Sequence, residues 1–336
     1  MIARVIGWSL HNRFLVLLTT LLLCVWGVFS LRMTPVDALP DLSDVQVIIR
    51  SSYPGAAPSI VENQITYPLV TSMVSAPKVS VVRGQSMFGM SFVYVIFQDG
   101  TDLYWARSRV LEYLSKLSGQ LPAGVTPTIG PDATGVGWVF QYALVDPNGK
   151  HDLAAIKTFQ DWYLRYWLAS VPGVAEVASV GGFEKQYQIE LDPNRLAAFK
   201  IPIARVIDAV RRSNQDVGGR TIEISEREHY VRGLGYIKNP KEIEDVSLGV
   251  SADGTPVRVA DVGRVSLGPN IRRGVSDLDG RGDTVGGVVV LRQGEDVSRV
   301  VAALKKRIEE VRGAFPPGLE LRIVYDRSNL IREAVA

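Results

Sequence analysis

The sequence predicts a membrane-anchored protein of the α+β class, and three observations support this prediction. An uncharged apolar run extends from Phe14 to Leu31. The segment after it has the pattern of β-α-β-β-α-β elements, and this pattern returns later in the chain, where a polar, turn-rich stretch interrupts it. Because the 336 residues exceed the usual length of one domain, two or three packed units are expected.

Composition and charge argue against several function classes. A net charge of +2 provides no field for polyanions, so nucleic acid is not an expected partner. The only cysteine, Cys24, lies in the apolar run, which excludes an intrachain disulfide and a cysteine-based zinc site. The three histidines lie in separate segments without the spacing of metal ligands. No Ser/His/Asp or Cys/His set suggests an enzyme, and no cofactor is expected.

The apolar run predicts a transmembrane helix, assigned to residues 14–32. About 20 apolar residues are needed to span a hydrocarbon core of about 30 Å. Arg4 and Arg13 precede the run, whereas acidic residues follow it, so the positive-inside tendency places residues 1–13 in the cytoplasm. A cleaved signal peptide is the alternative, but the run is longer than the usual apolar core of such peptides and no small-x-small cleavage site follows it.

The first patterned region covers residues 33–132. Strands are expected at Val45 to Ser52, Val79 to Arg83, Phe92 to Phe97 and Thr126 to Ile129. One helix is predicted from Pro58 to Met73, kinked or shortened at Pro68, and another has its apolar face on residues 103–117. This order is that of a split, ferredoxin-like unit in which two helices cover one face of a four-stranded sheet.

The same pattern returns in residues 133–200 and 284–326. A strand is expected at Val139 to Val145, and helices are expected after Asp152 and Asp296, two good N-cap residues. Residues 201–283 form the insertion, an α/β region with short strand-like segments such as Val257 to Val262.

Several long motifs carry a resemblance to a known family. They are the segments PVDALPDLSDVQV at 35–47, SYPG at 52–55, DGTD at 99–102 and GPDATGVGW at 130–138. With these motifs the chain resembles the N-terminal part of a resistance-nodulation-cell division (RND) efflux transporter of the heavy-metal branch, copper/silver type. The resemblance implies that the two repeats are porter subdomains, that the insertion is a docking subdomain, and that residues 327–336 approach a second transmembrane helix.

The resemblance also implies a function and partners. Such transporters are homotrimers of the bacterial inner membrane that use proton influx to export metal, here Cu(I) or Ag(I), through a periplasmic adaptor and an outer-membrane channel. They are secondary transporters, not enzymes, and most of this chain would be periplasmic. Because the family's protomer is much longer and has many membrane spans, we expect a fragment that does not transport alone.

Met87 and Met90 are the candidate metal ligands, because soft monovalent cations prefer thioether and thiolate sulfur. A separation of three residues along a regular strand puts two side chains on opposite faces, so their sulfurs converge only if the chain bends at Gly89. The alternative is that both methionines fill gaps in packing. In the copper/silver type a methionine often precedes the Arg-Arg-Gly sequence, where this chain has Ile271.

Two further sets of charged residues are candidates through the resemblance. Arg83 ends a strand and would line the cleft between porter subdomains, although a solvated strand-end arginine is the simpler interpretation. The segment from Arg220 to Gly235 would be the hairpin that reaches a neighbouring protomer, and a solvated hairpin without a partner is the alternative. The candidate contact residues are Arg220, Glu223, Glu226, Arg227 and Glu228.

Two other functions remain open from the residues alone. The chain could be an autonomous single-span module that binds a partner as a periplasmic adaptor. It could also be part of an RND pump that exports organic drugs.

Overall fold

The computed structural model describes residues 2–34, 37–117, 119–224, 227–251, 254–272 and 274–335. The chain divides into two compact units. One comprises Met1–Lys150, Phe159–Val180 and Val285–Ala336, and the other comprises His151–Thr158 and Gly181–Thr284.

The chain begins with two helices, α1 (Ile2–His11) and α2 (Arg13–Met33). The window Arg13–Ser30 of α2 is long and apolar enough to cross a membrane, and none of it is buried within the protein. At about 1.5 Å per residue, the 21 residues of α2 extend over about 30 Å, which matches a hydrocarbon core. The helix therefore has the length and the exposed apolar surface that the sequence predicted for residues 14–32.

Four antiparallel strands form the first sheet, in the order β2-β3-β1-β4. They are β1 (Gln46–Ser52), β2 (Val79–Met87), β3 (Met90–Phe97) and β4 (Thr128–Ile129). Alternate residues of β1 and β3 are buried against helix residues, because successive side chains of a strand point to opposite faces. One helix in this layer is α5 (Leu103–Lys116), which Asp102 caps by accepting a hydrogen bond from the Trp105 N–H at 2.7 Å.

The other helical stretch on this sheet has three segments. A five-residue π-helical turn, Glu62–Thr66, separates α3 (Pro58–Val61) from α4 (Tyr67–Val74). Of the two alternatives predicted for Pro68, a kink or a shortened helix, the second does not occur, because α4 continues to Val74. Pro68 lies in the first turn of α4, directly after the wider π turn, where a missing N–H is tolerated.

The chain then enters a second region with the same kinds of elements. Strand β5 (Trp138–Val145) is followed by α6 (Leu153–Phe159), a second π-helical turn at Gln160–Leu164, and α7 (Arg165–Ala169). Strand β6 (Val174–Gly181) follows.

From Gly181 the chain forms the second compact unit, ahead of the insertion start predicted at residue 201. Its elements are β7 (Lys185–Leu191), α8 (Pro193–Ala198), α9 (Ile203–Ser213), β8 (Val217–Ile224), β9 (Arg227–Gly233), α10 (Pro240–Glu244), β10 (Ser247–Val250), β11 (Pro256–Arg258), α11 (Val259–Val262) and β12 (Gly263–Pro269). Strand β7 pairs with β12, β8 with β9 and β10 with β11. Its core contains Leu196, Val206, Ile243 and Val259.

The strand expected at Val257 to Val262 is only half correct. Strand β11 ends at Arg258, and the next four residues form the helical turn α11. The Arg258 N–H donates to the Asp261 carboxylate at 2.7 Å, which stabilises the start of the turn. Val259 and Val262 are both fully buried, so the three-residue step of a helix serves this core better than strand alternation.

The chain returns to the first compact unit with a fully buried strand, β13 (Val285–Leu291). Helix α12 (Val297–Val311), a 3-10 turn at Arg312–Ala314, β14 (Glu320–Asp326) and α13 (Arg327–Val335) complete the fold. Asp296 caps α12, as expected. The second four-stranded sheet has the order β14-β5-β13-β6. When the strands of each sheet are counted along the chain, the first strand (β1 or β5) lies between the third and the fourth. The second strand (β2 or β6) lies at an edge.

Candidate functional site

Met87 and Met90 face each other across a tight hairpin. Strand β2 ends at Met87 and β3 begins at Met90, and the two residues are register partners. The turn between them contains only Phe88 and Gly89, and Gly89 has a φ of 68°. A β carbon on Gly89 would lie 3.2 Å from the carbonyl oxygen of Tyr53, so this position favours glycine on both conformational and steric grounds.

This hairpin changes the expected relation between the two methionines. Opposite faces would follow for one uninterrupted strand, but the chain reverses at Gly89, and directly opposed residues of an antiparallel pair lie on the same face. Met87 is exposed, and Met90 is half-buried. The structure therefore brings both thioether side chains to one side of the hairpin tip, the arrangement that two sulfur ligands of one soft cation require.

Arg83 lies on the edge strand of the same sheet, opposite Tyr94. Its neighbour Gly84 faces the helical layer, since a β carbon there would lie 2.5 Å from a methyl group of Thr66. Because strand residues alternate in direction, Arg83 points to the face opposite the helices, and it is exposed.

The β8–β9 hairpin carries the candidate protomer contacts. Glu223 pairs with Glu228, and Arg227 pairs with Ile224. Glu223, Arg227 and Glu228 are exposed, Arg220 is described only in its backbone, and Glu226 lies outside the described residues. Two like charges directly opposite each other destabilise a hairpin.

Sequence analysis treated this hairpin as a charged element and missed its apolar side chains. Tyr230 is 83% exposed, and Val217, Ile222 and Val231 are also exposed. The sequence has Tyr230 and Val231 shortly after the charged Glu228, a local signal of this mixed surface. Tyrosine is common in protein interfaces, and this hairpin exposes one beside its charged residues.

Sequence reasoning also missed a charged pair that joins distant parts of the chain. The Arg327 guanidinium, at the first residue of α13, donates to the Asp37 carboxylate at 3.1 Å and to the Trp138 carbonyl at 3.2 Å. The Asp37 carboxylate also accepts a hydrogen bond from the Ala38 N–H at 2.7 Å. Arg327 is only 5% exposed, and no local pattern indicates its partner.

Among the described residues, no group of three or more His, Cys, Asp or Glu side chains could hold a metal ion. Met87 and Met90 are the soft donors that the β2–β3 hairpin places opposite each other.

Comparison with known proteins gives consistent results over the whole chain. Residues 5–336 match the family described as AcrB/AcrD/AcrF. The chain is 54% identical over 335 residues to the cation efflux system protein CusA of Escherichia coli strain K12, and 53% identical over 335 residues to the SilA protein of Salmonella typhimurium. All of this chain is covered in both cases, but only 32% of each relative.

A solved structure agrees with these relatives. The crystal structure of a heavy metal efflux pump superposes with a TM-score of 0.87 at 30% identity, covering 98% of this chain and 33% of the pump. The chain therefore spans about a third of the length of the proteins that it matches.

Proposed function

The chain belongs to the AcrB/AcrD/AcrF family of RND transporters, and on this premise we propose that it is the porter and docking part of a proton-driven pump that exports Cu(I) or Ag(I). The observation that carries the proposal is the 54% identity to a cation efflux protein over the entire chain. At a third of the relatives' length, the chain is a part of such a pump that does not transport alone.

The two four-stranded sheets support the assignment of two porter repeats. Their strand orders are β2-β3-β1-β4 and β14-β5-β13-β6. When the second order is read in reverse, the strands of the two sheets follow each other in the same sequence, as expected for ferredoxin-like units. The proposed repeats are residues 33–132 and residues 133–200 with 284–326. The proposed docking subdomain, residues 201–283, falls within the second compact unit.

The proposed topology starts in the cytoplasm. Residues 1–13 carry Arg4 and Arg13, which favour the inner side of the membrane. Helix α2 is the span, and the bulk of the chain is periplasmic. Residues 327–336, which include α13, approach a further membrane helix. The location is the bacterial inner membrane.

Three sets of residues are given roles in this pump. Met87 and Met90 are proposed to contact the metal transiently, because their side chains share one side of the hairpin. Arg83, exposed on the edge strand, is proposed to line the cleft between porter subdomains. The β8–β9 hairpin, with Arg220, Glu223, Glu226, Arg227 and Glu228, is proposed to contact the neighbouring protomer of a homotrimer.

The further proposed partners are a periplasmic adaptor and an outer-membrane channel, which together with the trimer would form one conduit. The membrane itself is the remaining partner.

A tolerance assay tests the proposed function. A host that lacks its own copper and silver efflux would carry the complete gene from which this chain comes. We expect growth at higher silver and copper concentrations than with the empty vector, and no gain against dyes and detergents. Protection against dyes alone would refute the metal assignment and support a drug exporter.

A second measurement tests the proton drive, and export of metal from loaded cells that carry the complete gene would already exclude an autonomous binding module. A proton ionophore, which collapses the proton gradient across the membrane, should abolish this export if transport is proton-driven. Export that continues unchanged without the gradient would contradict the proposal.

A further inference from the structure

A cavity of about 320 Å³ lies beside Arg327 in the first compact unit. Its walls combine a short segment after α2 with the loop before β5 and the turn after β13. The charged and polar side chains in these walls are Asp37, Asp41, Thr134, Arg292, Gln293, Glu295 and Arg327. The volume is at the lower end of the range for small-molecule sites, so it suits a ligand of headgroup size.

Two guanidinium groups line the cavity. Arg327 is almost fully buried, and its Nε has no hydrogen-bond partner among the residues that the structure describes. A buried polar atom without a partner is destabilising, so a ligand oxygen that reached this Nε would be favoured. Arg292 is half-exposed, with its Nε 3.3 Å from the Asp132 carboxylate, and it can turn a remaining N–H group towards a ligand.

Carboxylates line the same cavity. Partial burial by itself would raise the pKa of Asp41, but hydrogen bonds from Thr134 and Ser43 and the charge of Arg327 outweigh it, so the pKa lies below its ordinary value. Asp41 is therefore ionised at neutral pH. Glu295, which also pairs with Arg299 at 2.6 Å, adds a second carboxylate to the lining.

The chain length places this cavity close to the membrane surface. Thr34 is the residue directly after α2, and Asp37 lies three residues further along the chain. Three residues span at most about 11 Å. The polar headgroup layer is about 5 to 8 Å thick on each side of the hydrocarbon core. A cavity lined by Asp37 and Asp41 therefore opens at or just above the level of the headgroups.

Exposed apolar residues surround this part of the chain. Leu42 is 89% exposed and Leu39 is 41% exposed, and both lie in the segment that contributes to the cavity. The Trp138 ring is also exposed, while its carbonyl accepts from Arg327. Tryptophan and exposed leucines next to a membrane span are typical of the membrane interface.

We propose that this cavity binds the zwitterionic headgroup of a phospholipid, with the phosphate at Arg327 and Arg292 and a primary ammonium group at Asp41 and Glu295. Both signs of charge are needed: a simple anion would meet the carboxylates of Asp41 and Glu295, and a simple cation would meet the two guanidinium groups. The proposal rests on the membrane span of the proposed function.

The experiment uses the chain reconstituted in bicelles with equal amounts of phosphatidylethanolamine, phosphatidylcholine and phosphatidylglycerol. Native mass spectrometry then measures which lipids remain bound. We expect phosphatidylethanolamine to be enriched by about threefold or more, since its primary ammonium can donate charge-assisted hydrogen bonds to the carboxylates, which the quaternary ammonium of phosphatidylcholine cannot do and which phosphatidylglycerol has no cation to do.

Two variants test the two halves of the headgroup. Asp41→Asn should remove the preference for phosphatidylethanolamine over phosphatidylcholine, because the N–H groups of the primary ammonium lose their charged acceptor. Arg292→Gln should lower retention of all three lipids, because they share the phosphate. Arg312→Gln is the matched control, since Arg312 is exposed and its ion pair is with Glu309, three residues earlier. An equal lipid profile for all four proteins would overturn the proposal.

A soluble-ligand arm separates a lipid from a free anion. Glycerophosphoethanolamine should displace bound lipid at lower concentration than inorganic phosphate does. If inorganic phosphate competes equally well, the site binds free anions and the lipid proposal fails.

Alkaline carbonate extraction distinguishes failure of this proposal from failure of the proposed membrane span. Release of the chain into the soluble fraction would refute the span, and the headgroup site with it. A chain that stays in the membrane but retains lipids without preference would refute only the headgroup site.

Discussion

Asp37 and Arg327 form an ion pair between two positions that are 290 residues apart, with 3.1 Å between the Asp37 Oδ2 and an Arg327 Nη atom. Asp37 follows the membrane helix α2, and Arg327 begins helix α13. The pair therefore connects the segment after α2 to the start of α13. Arg327 also contacts the second four-stranded sheet, because it donates to the Trp138 carbonyl.

Removing the charge of Asp37 should destabilise the first compact unit. Asp37→Asn leaves the Arg327 guanidinium nearly buried without a charged partner, which costs about 3 to 5 kcal/mol for a fully buried pair. Because Asp37 is about a third exposed, we expect about 1 to 3 kcal/mol. Denaturant unfolding of the purified chain in detergent measures this. Glu309→Gln, at an exposed pair, is the control and should change stability by less than about 0.5 kcal/mol; equal effects of the two variants would contradict the prediction.

Gly181 is expected to tolerate no side chain. Its φ is +70°, and a β carbon would collide with the Thr284 carbonyl oxygen and lie 2.6 Å from the β carbon of Ser276. Gly280 has the same φ, but nothing lies within 4 Å of an added β carbon there. The pair of variants thus separates steric overlap from backbone conformation.

Gly280→Ala should cost about 1 to 2 kcal/mol through its left-handed conformation alone. Gly181→Ala should cost about 1 to 3 kcal/mol more, because the backbone around Thr284 must shift. Thermal unfolding of both variants would show the difference. Equal midpoints would mean that the close approach to Thr284 adds nothing.

Tyr142 and Gln160 form a buried polar contact in the second sheet. The Tyr142 hydroxyl donates to the Gln160 Oε1 at 3.0 Å, and the Gln160 amide donates to the Ser179 hydroxyl at 3.2 Å. Tyr142→Phe removes a donor from a fully buried acceptor, so the free energy of unfolding should fall by about 1 to 3 kcal/mol. Tyr163→Phe, at an exposed ring that stacks on Phe159, is the control. If Tyr142→Phe leaves the free energy of unfolding unchanged, the Gln160 Oε1 has found another hydrogen-bond donor.

Much of the fold follows from local sequence patterns. The apolar face predicted after Asp296 is buried as expected at Val297, Val300 and Leu304, because a three- and four-residue spacing has few alternatives to an amphipathic helix. The π-helical turns at Glu62–Thr66 and Gln160–Leu164 could not be predicted, since their residues suit an α-helix equally well.

The site was less predictable than the fold. The hairpin between Met87 and Met90 had one local signal, a glycine between two strand-like runs. Whether the two strands stay paired as far as the methionines depends on the whole sheet. The contact of Asp37 with Arg327 had no local signal, because it joins residues whose proximity only the tertiary fold creates.

Asp326 should make stability depend on pH at the acid end. Burial by itself would raise its pKa, but hydrogen bonds from Lys305 and Ser328 and the charge of Lys305 outweigh it, so the folded pKa lies below the ordinary value. The carboxylate therefore adds stability above the unfolded pKa of about 4, and this contribution is lost as the pH falls through the folded pKa.

Asp326→Asn and Lys305→Met should each flatten the loss of stability below about pH 4. Denaturant unfolding at a series of pH values would measure the slope. A variant at Asp326 that keeps the slope of the original chain would show that other carboxylates cause it.

The methionine pair gives the sharpest test of a residue role in metal export. Met87→Leu with Met90→Leu, in the complete gene, removes both thioethers but keeps similar apolar volume, so folding should change little. If the pair contacts a soft cation, silver tolerance should fall by at least about one doubling step of a dilution series at equal protein level. Met73→Leu is the matched control, because Met73 is completely buried in the core of the same sheet and cannot meet a transported ion. Tolerance that is unchanged in the double variant would assign Met87 and Met90 to packing, as the gap-filling interpretation holds.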